Sequence, residues 1–172
     1  ENAHPFVREL WGRNWMFAHN GDLKDFVPAL HGQFRPIGST DSEHAFCWLL
    51  QEIAKSHAGV PSVEELTLTL AELVPQISHK GTFNFVLSNG DAMWAHCSTH
   101  LHYLVRAYPF NRASLMDQDV SVNFAELNNA EDRAAVIVTL PLTADETWAT
   151  FQPNELITFV DGTPKIHVDL DA

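Results

Sequence analysis

Three short constellations in the sequence carry residue types that could do chemistry. The first is His19-Asn20-Gly21-Asp22, which follows the apolar stretch Trp15-Met16-Phe17-Ala18. Asn-Gly commonly makes a tight turn, because both residues tolerate positive φ. The same pair can also build an oxyanion hole, with the Asn amide and the Gly N–H aimed at one carbonyl oxygen. The second is Gly38-Ser39-Thr40-Asp41-Ser42-Glu43. Thr40 and Glu43 have the spacing of a helix capping box, which leaves Asp41 for the helix dipole or for a substrate ammonium group. The third is His96-Cys97-Ser98-Thr99-His100-Leu101-His102. His96, His100 and His102 invite a metal reading, but their spacing matches no zinc signature and lacks a fourth ligand, so no metal is assigned. Nucleophiles are scarce. Cys47 sits between Phe46 and Trp48 and reads as a packing residue; Cys97 follows a strand, could be accessible, and has no identifiable base. Neither a G-x-S-x-G elbow nor a phosphate-binding loop is present.

Local patterning indicates how these residues are held. Trp15 to His19 read as a short buried strand ending in an Asn20-Gly21 turn, inside an otherwise irregular or β-like stretch over 1–40. A helix is predicted from about Thr40, with Phe46, Leu49, Leu50 and Ile53 at helical spacing, stopped by Gly59 and Pro61. A second starts at Ser62, capped by Glu65, and carries Leu66, Leu70, Leu73, Val74 and Ile77 on one stripe. The short connector predicts antiparallel packing of the pair in one layer. Strands then follow on both sides of Asn89-Gly90-Asp91, a hairpin signal, and at 101–107, 134–140, 156–160 and 166–168, with Asp161-Gly162 turning between the last two. Residues 109–131 read as loop with a short strand. Helices followed by consecutive strands indicate an α+β fold with antiparallel sheet.

The chain of 172 residues is 45% hydrophobic and 19% charged, a globular composition for one domain over 1–172. Ten Lys plus Arg face 22 Asp plus Glu, for a formal charge of −12. With no basic cluster, nucleic acid and anionic membrane surfaces are poor partners. No apolar run approaches the roughly 20 residues of a membrane span. Two cysteines make no disulfide framework, and a cytoplasmic setting is expected. The first residue is Glu1, so processing or an upstream segment is expected.

Asn2-Ala3-His4-Pro5, His19-Asn20-Gly21 and Thr40-Asp41-Ser42-Glu43, in this order, resemble the class II glutamine amidotransferases, a group of N-terminal-nucleophile hydrolases. The longer stretches beginning at Arg8-Glu9-Leu10-Trp11-Gly12 and at Pro141-Leu142-Thr143-Ala144-Asp145-Glu146 are similar to the stand-alone bacterial, type 4 branch of that class. The resemblance implies a four-layer αββα sandwich, of which the helix pair is one outer layer. It implies hydrolysis of a glutamine side-chain amide through an N-terminal Cys thioester, with Asn20 and Gly21 as the oxyanion pair. Asp41 would hold the substrate α-ammonium, and His19 and Thr40 would shape the substrate site. The implied ligand is L-glutamine or a γ-glutamyl amide, with an ammonia-accepting partner protein possible and no cofactor. The family's N-terminal Cys and an Arg for the substrate carboxylate have no counterpart in residues 1–172. This stretch alone is therefore expected to be inactive, and the alternative is a non-catalytic glutamine- or glutamate-binding module or partner subunit.

Overall fold

Thr40 starts the first helix as the sequence predicts: its backbone is extended and its hydroxyl accepts from the Glu43 N–H at 3.2 Å. In the computed structural model, which describes residues 2–108, 112–114, 121–123 and 131–171, the elements run β1 (Phe6–Leu10), β2 (Arg13–Leu23), α1 (Asp41–Ser56), α2 (Val63–Ser78), β3 (Gly81–Ser88), β4 (Met93–Cys97), β5 (His102–Ala107), β6 (Arg112–Ser114), β7 (Ser121–Asn123), β8 (Arg133–Val138), β9 (Ala149–Thr150), β10 (Glu155–Val160) and β11 (Thr163–Asp169). The fold is α+β. Six antiparallel strands form one sheet in the order β1-β2-β3-β4-β10-β11, and a smaller sheet has the order β8-β5-β9. The expectation for 109–131 falls largely outside the described residues; within it, β6 pairs with β7.

Strand alternation sorts the core into two levels. Trp15, Phe17, Phe83, Phe85, Leu87, Trp94 and Leu156 face the helix pair and bury the α1 and α2 stripes. Ala95, Cys97, Ile157 and Phe159 face the other way, toward Leu101, Phe151 and the partly buried Tyr103 and Ile137. The described layers are therefore helices, large sheet and small sheet, three of the four layers of the expected sandwich.

Two details correct the sequence reading. Up to residue 23 the irregular or β-like stretch is β, and the strand expected over Trp15–His19 is longer and belongs to a hairpin: Trp11 and Gly12 both take positive φ, 58° and 74°, and turn β1 directly into β2. The Thr40–Glu43 pair is only half a capping box. The Glu43 carboxylate leaves its own helix start and accepts from the N–H groups of Ile37 at 3.0 Å and Gly38 at 2.7 Å, and it pairs with Arg8. Burial raises the Glu43 pKa, but these donors and the Arg8 charge outweigh it and hold the carboxyl below its usual range. At the second helix the complete capping box is present between Ser62 and Glu65. The Asn89-Gly90-Asp91 turn is also as expected, with the Asn89 side chain accepting from the Asp91 and Ala92 N–H groups.

Thr67 fastens α2 to the large sheet. Its hydroxyl lies 2.7 Å from the Val63 carbonyl, 2.8 Å from Trp94 Nε1 and 2.9 Å from the Thr158 hydroxyl. A carbonyl only accepts and an indole N–H only donates, so Thr67 gives its proton to Val63 and takes protons from Trp94 and Thr158. Thr67→Val would strand both donors in a dry core, at about 1–3 kcal/mol each. We expect the intact protein to lose about 2–4 kcal/mol in denaturant unfolding, with Thr67→Ser losing much less.

Candidate functional site

Asn20 and Gly21 lie inside β2, not in a turn. Asn20 is registered with Asn84 and Gly21 with Phe83 on β3, so the strand runs on to Leu23. The turn propensity of Asn-Gly is overridden because β3 supplies a continuous partner. Gly21 has another reason to be glycine: a Cβ there would sit 1.9 Å from the Thr82 carbonyl oxygen and 2.7 Å from His19 Nε2.

The alternation of β2 puts the His19 ring on the helix side and Asn20 on the opposite face. Asn20 lines two adjoining depressions. One, of about 220 Å³, is bounded also by His4, Ala18, Val86 and Ile137. The other, of about 510 Å³, is bounded by Gly21, Thr82, Thr99, His100 and Leu140. Asn84 and Thr139 border both. Among the described residues, no hydrogen bond occupies the Asn20 side-chain amide. Its backbone carbonyl, by contrast, is fixed by the Asn84 amide at 3.2 Å.

Asn84 was missed in the sequence, although a lone polar residue amid Phe83, Phe85, Val86 and Leu87 was a signal. It is buried and serves two segments at once. Its amide donates to Asn20 and to the Thr99 hydroxyl at 2.8 Å, while its carbonyl oxygen accepts from the N–H groups of Ser98 at 2.9 Å and Thr99 at 3.1 Å. The far wall of the cleft is held by the segment after β8. Arg106 makes a two-pronged pair with Glu146, at 2.9 and 2.7 Å, and the Thr143 hydroxyl donates to the same carboxylate.

Asp41 is the first residue of α1, and its carboxylate accepts from the Leu23 N–H at 2.8 Å. It lines neither depression, and Thr40 serves the helix cap. His19 is buried between them: its Nδ1 lies 2.8 Å from the Ser42 hydroxyl and its Nε2 3.0 Å from the Thr82 carbonyl. Burial lowers the His19 pKa against the opposing pull of the Thr82 carbonyl and the Asp41 charge.

His96, His100 and His102 go to different places. His96 points into the helix-side core and donates from Nδ1 to the Phe83 carbonyl at 2.6 Å, whereas His102 Nδ1 donates to the Thr139 carbonyl and His100 borders the cleft. No group of three His, Cys, Asp or Glu side chains among the described residues could hold a metal ion. Cys97 is buried between the sheets and not accessible, and Cys47 is buried in α1. Burial raises both thiol pKa values, that of Cys47 to about 11, so neither is a thiolate at neutral pH. Among the described residues, no helix is long and apolar enough to cross a membrane.

Residues 1–171 match the family model described as glutamine amidotransferases class-II. The chain is 45% identical over 163 residues to YafJ of Escherichia coli K12, which carries the name of a glutamine amidotransferase provisionally; the match covers 94% of this chain and 64% of that protein. A similarly named Haemophilus influenzae protein is 42% identical over 177 residues, covering 98% of this chain and 60% of the relative. The crystal structure of a predicted glutamine amidotransferase from Pseudomonas aeruginosa superimposes with a TM-score of 0.85 at 41% identity, over 95% of this chain and 64% of that one. The chain thus spans somewhat under two-thirds of the length of these relatives.

Two outcomes are expected. Gly21→Ala drives a methyl into a backbone carbonyl, so it should lower the melting temperature of the intact protein far more than alanine at exposed Gly59, where a Cβ meets nothing. His96, pushed down to about 4 by burial despite its bond to Phe83, makes stability depend on pH. The unfolded chain binds this proton below about 6.5 and the folded chain only near 4, so stability is full above that window and falls as the pH drops through it. His96→Gln should flatten that decline in unfolding free energy.

Proposed function

Because the chain belongs to the class II glutamine amidotransferases, we propose that it forms the oxyanion-binding part of an enzyme that hydrolyses the side-chain amide of L-glutamine. The observation that carries this reading is the Asn20 amide on the wall of a cleft, beside a glycine, where β2 pairs with β3 and no hydrogen bond among the described residues engages the amide.

In this reading the nucleophile is an N-terminal Cys thiolate of the intact protein; the buried, protonated Cys47 and Cys97 do not suit the part. The Cys sulfur attacks the amide carbon as the thiolate, its thiol proton having passed to the free α-amino group. The carbonyl electrons move onto oxygen, where the Asn20 amide and the Gly21 N–H donate to the developing oxyanion. The α-amino group returns the proton to nitrogen as the C–N bond breaks and ammonia leaves. Water then attacks the γ-glutamyl thioester, giving one proton to the α-amino group; the C–S bond breaks, the leaving sulfur takes that proton back, and glutamate departs as its γ-carboxylate with the second proton released to solvent. Asp41, with one carboxylate oxygen on Leu23, has remaining lone pairs for the substrate α-ammonium. The ammonia goes to solvent or to an acceptor protein.

The test is steady-state glutamine hydrolysis by the intact protein. Asn20→Ala should lower kcat by roughly 10²–10³ with little change in KM, as loss of one oxyanion donor does. Asp41→Asn should act mainly by raising KM. Wild-type turnover in Asn20→Ala would remove the oxyanion role. Glutamine binding without hydrolysis by the wild type would favour a binding module instead.

A further inference from the structure

Two consecutive residues at the start of α1 grip β2 on either side of the Asn20-Gly21 pair. Asp41 takes the Leu23 N–H at 2.8 Å, and the Ser42 hydroxyl lies 2.8 Å from His19 Nδ1. The protons of the second grip can be placed by elimination. The Thr82 carbonyl only accepts, so His19 Nε2, 3.0 Å away, carries the hydrogen. In a neutral imidazole Nδ1 is then an acceptor, and Ser42 is the donor that faces it. The alternative acceptor for Ser42, the Asp41 carboxylate, is farther off at 3.4 Å. Ser42 and His19 are both buried, at 5% and 7% exposure, and the bond between them is shielded from solvent.

The ring is also packed against the glycine backbone, since a Cβ on Gly21 would meet both the Thr82 oxygen and His19 Nε2. Ring, carbonyl and Gly21 backbone therefore move together or not at all.

We propose that Ser42 is a positioning residue: by donating to His19 it locks the ring against the Thr82 carbonyl and so sets where the Asn20 amide and Gly21 N–H stand relative to α1. The role rests on the reading of Asn20 and Gly21 as oxyanion donors. Ser42 itself touches no substrate. Its loss acts through geometry, and a small misplacement of such groups costs up to about 100-fold in rate.

Two measurements on the intact protein test this. In the first, Ser42→Ala should lower kcat for glutamine about tenfold to a hundredfold while KM stays within about twofold. A lower melting temperature with unchanged kcat would reduce Ser42 to a packing residue and overturn the proposal. The second needs no variant and so survives a Ser42→Ala protein that does not fold. Long-range ¹H–¹⁵N spectra of the wild type should show His19 as the neutral Nε2–H tautomer; an Nδ1–H tautomer would overturn the clasp. A wild type that shows the Nε2–H form but hydrolyses no glutamine would sink the functional reading, and the positioning role with it, while leaving the hydrogen bonds as described.

Discussion

The four residues Thr40 to Glu43 send their side chains to four different places, and the rest of the structure depends on that divergence. Thr40 turns back to cap its own helix, Asp41 reaches the end of β2, Ser42 reaches the middle of β2 through His19, and Glu43 reaches the 37–38 backbone and Arg8 on β1. One helical turn thus fixes a hairpin, a loop and its own helix together. A helix N-terminus suits this task because its free N–H groups and dipole favour the acidic and hydroxyl side chains that do the reaching.

Glu43 shows how the balance is struck. It is 1% exposed, and a buried carboxylate is stable only if its charge is matched and its lone pairs are filled. Arg8 supplies the charge and two backbone amides fill the lone pairs. Such a pair adds little net stability compared with an apolar substitute, but removing one partner is costly. Its contribution is therefore specificity: the carboxylate fixes the backbone at 37–38, and Gly38 fits that path because it lacks the Cβ that would stand 2.0 Å from the Asn2 side chain.

Much of the fold was legible because periodicity reports burial. The stripes of α1 and α2 and the alternation of β3, β4 and β10 follow from which face meets the core. Reading failed where a residue's local preference was overruled at long range. Asn20-Gly21 has turn chemistry, yet β3 keeps it extended. Trp11 is no ordinary turn residue, yet the Leu10 to Arg13 pairing puts it at positive φ. Cys97 looked accessible at a strand end, but the small sheet covers it. For the candidate site, Asn20, Gly21 and Asp41 are expectations drawn from motif order. Asn84 and Ser42 could not be found that way, because their importance lies in partners 64 and 23 residues away.

That distance also sets when the cleft comes into being. The Asn84 amide reaches the Asn20 carbonyl only after β3 has paired with β2 across the whole helix pair, and the pairing of β4 with β10 closes a still later segment of chain. Loop closure over such separations carries an entropic cost that local helix formation does not. During synthesis, the ribosome must release β3 before the Asn20 carbonyl meets the Asn84 amide, so a nascent chain that has formed only β1, β2 and the first helix has the grips of Asp41 and Ser42 but no cleft wall from β3 beside its Asn-Gly dipeptide.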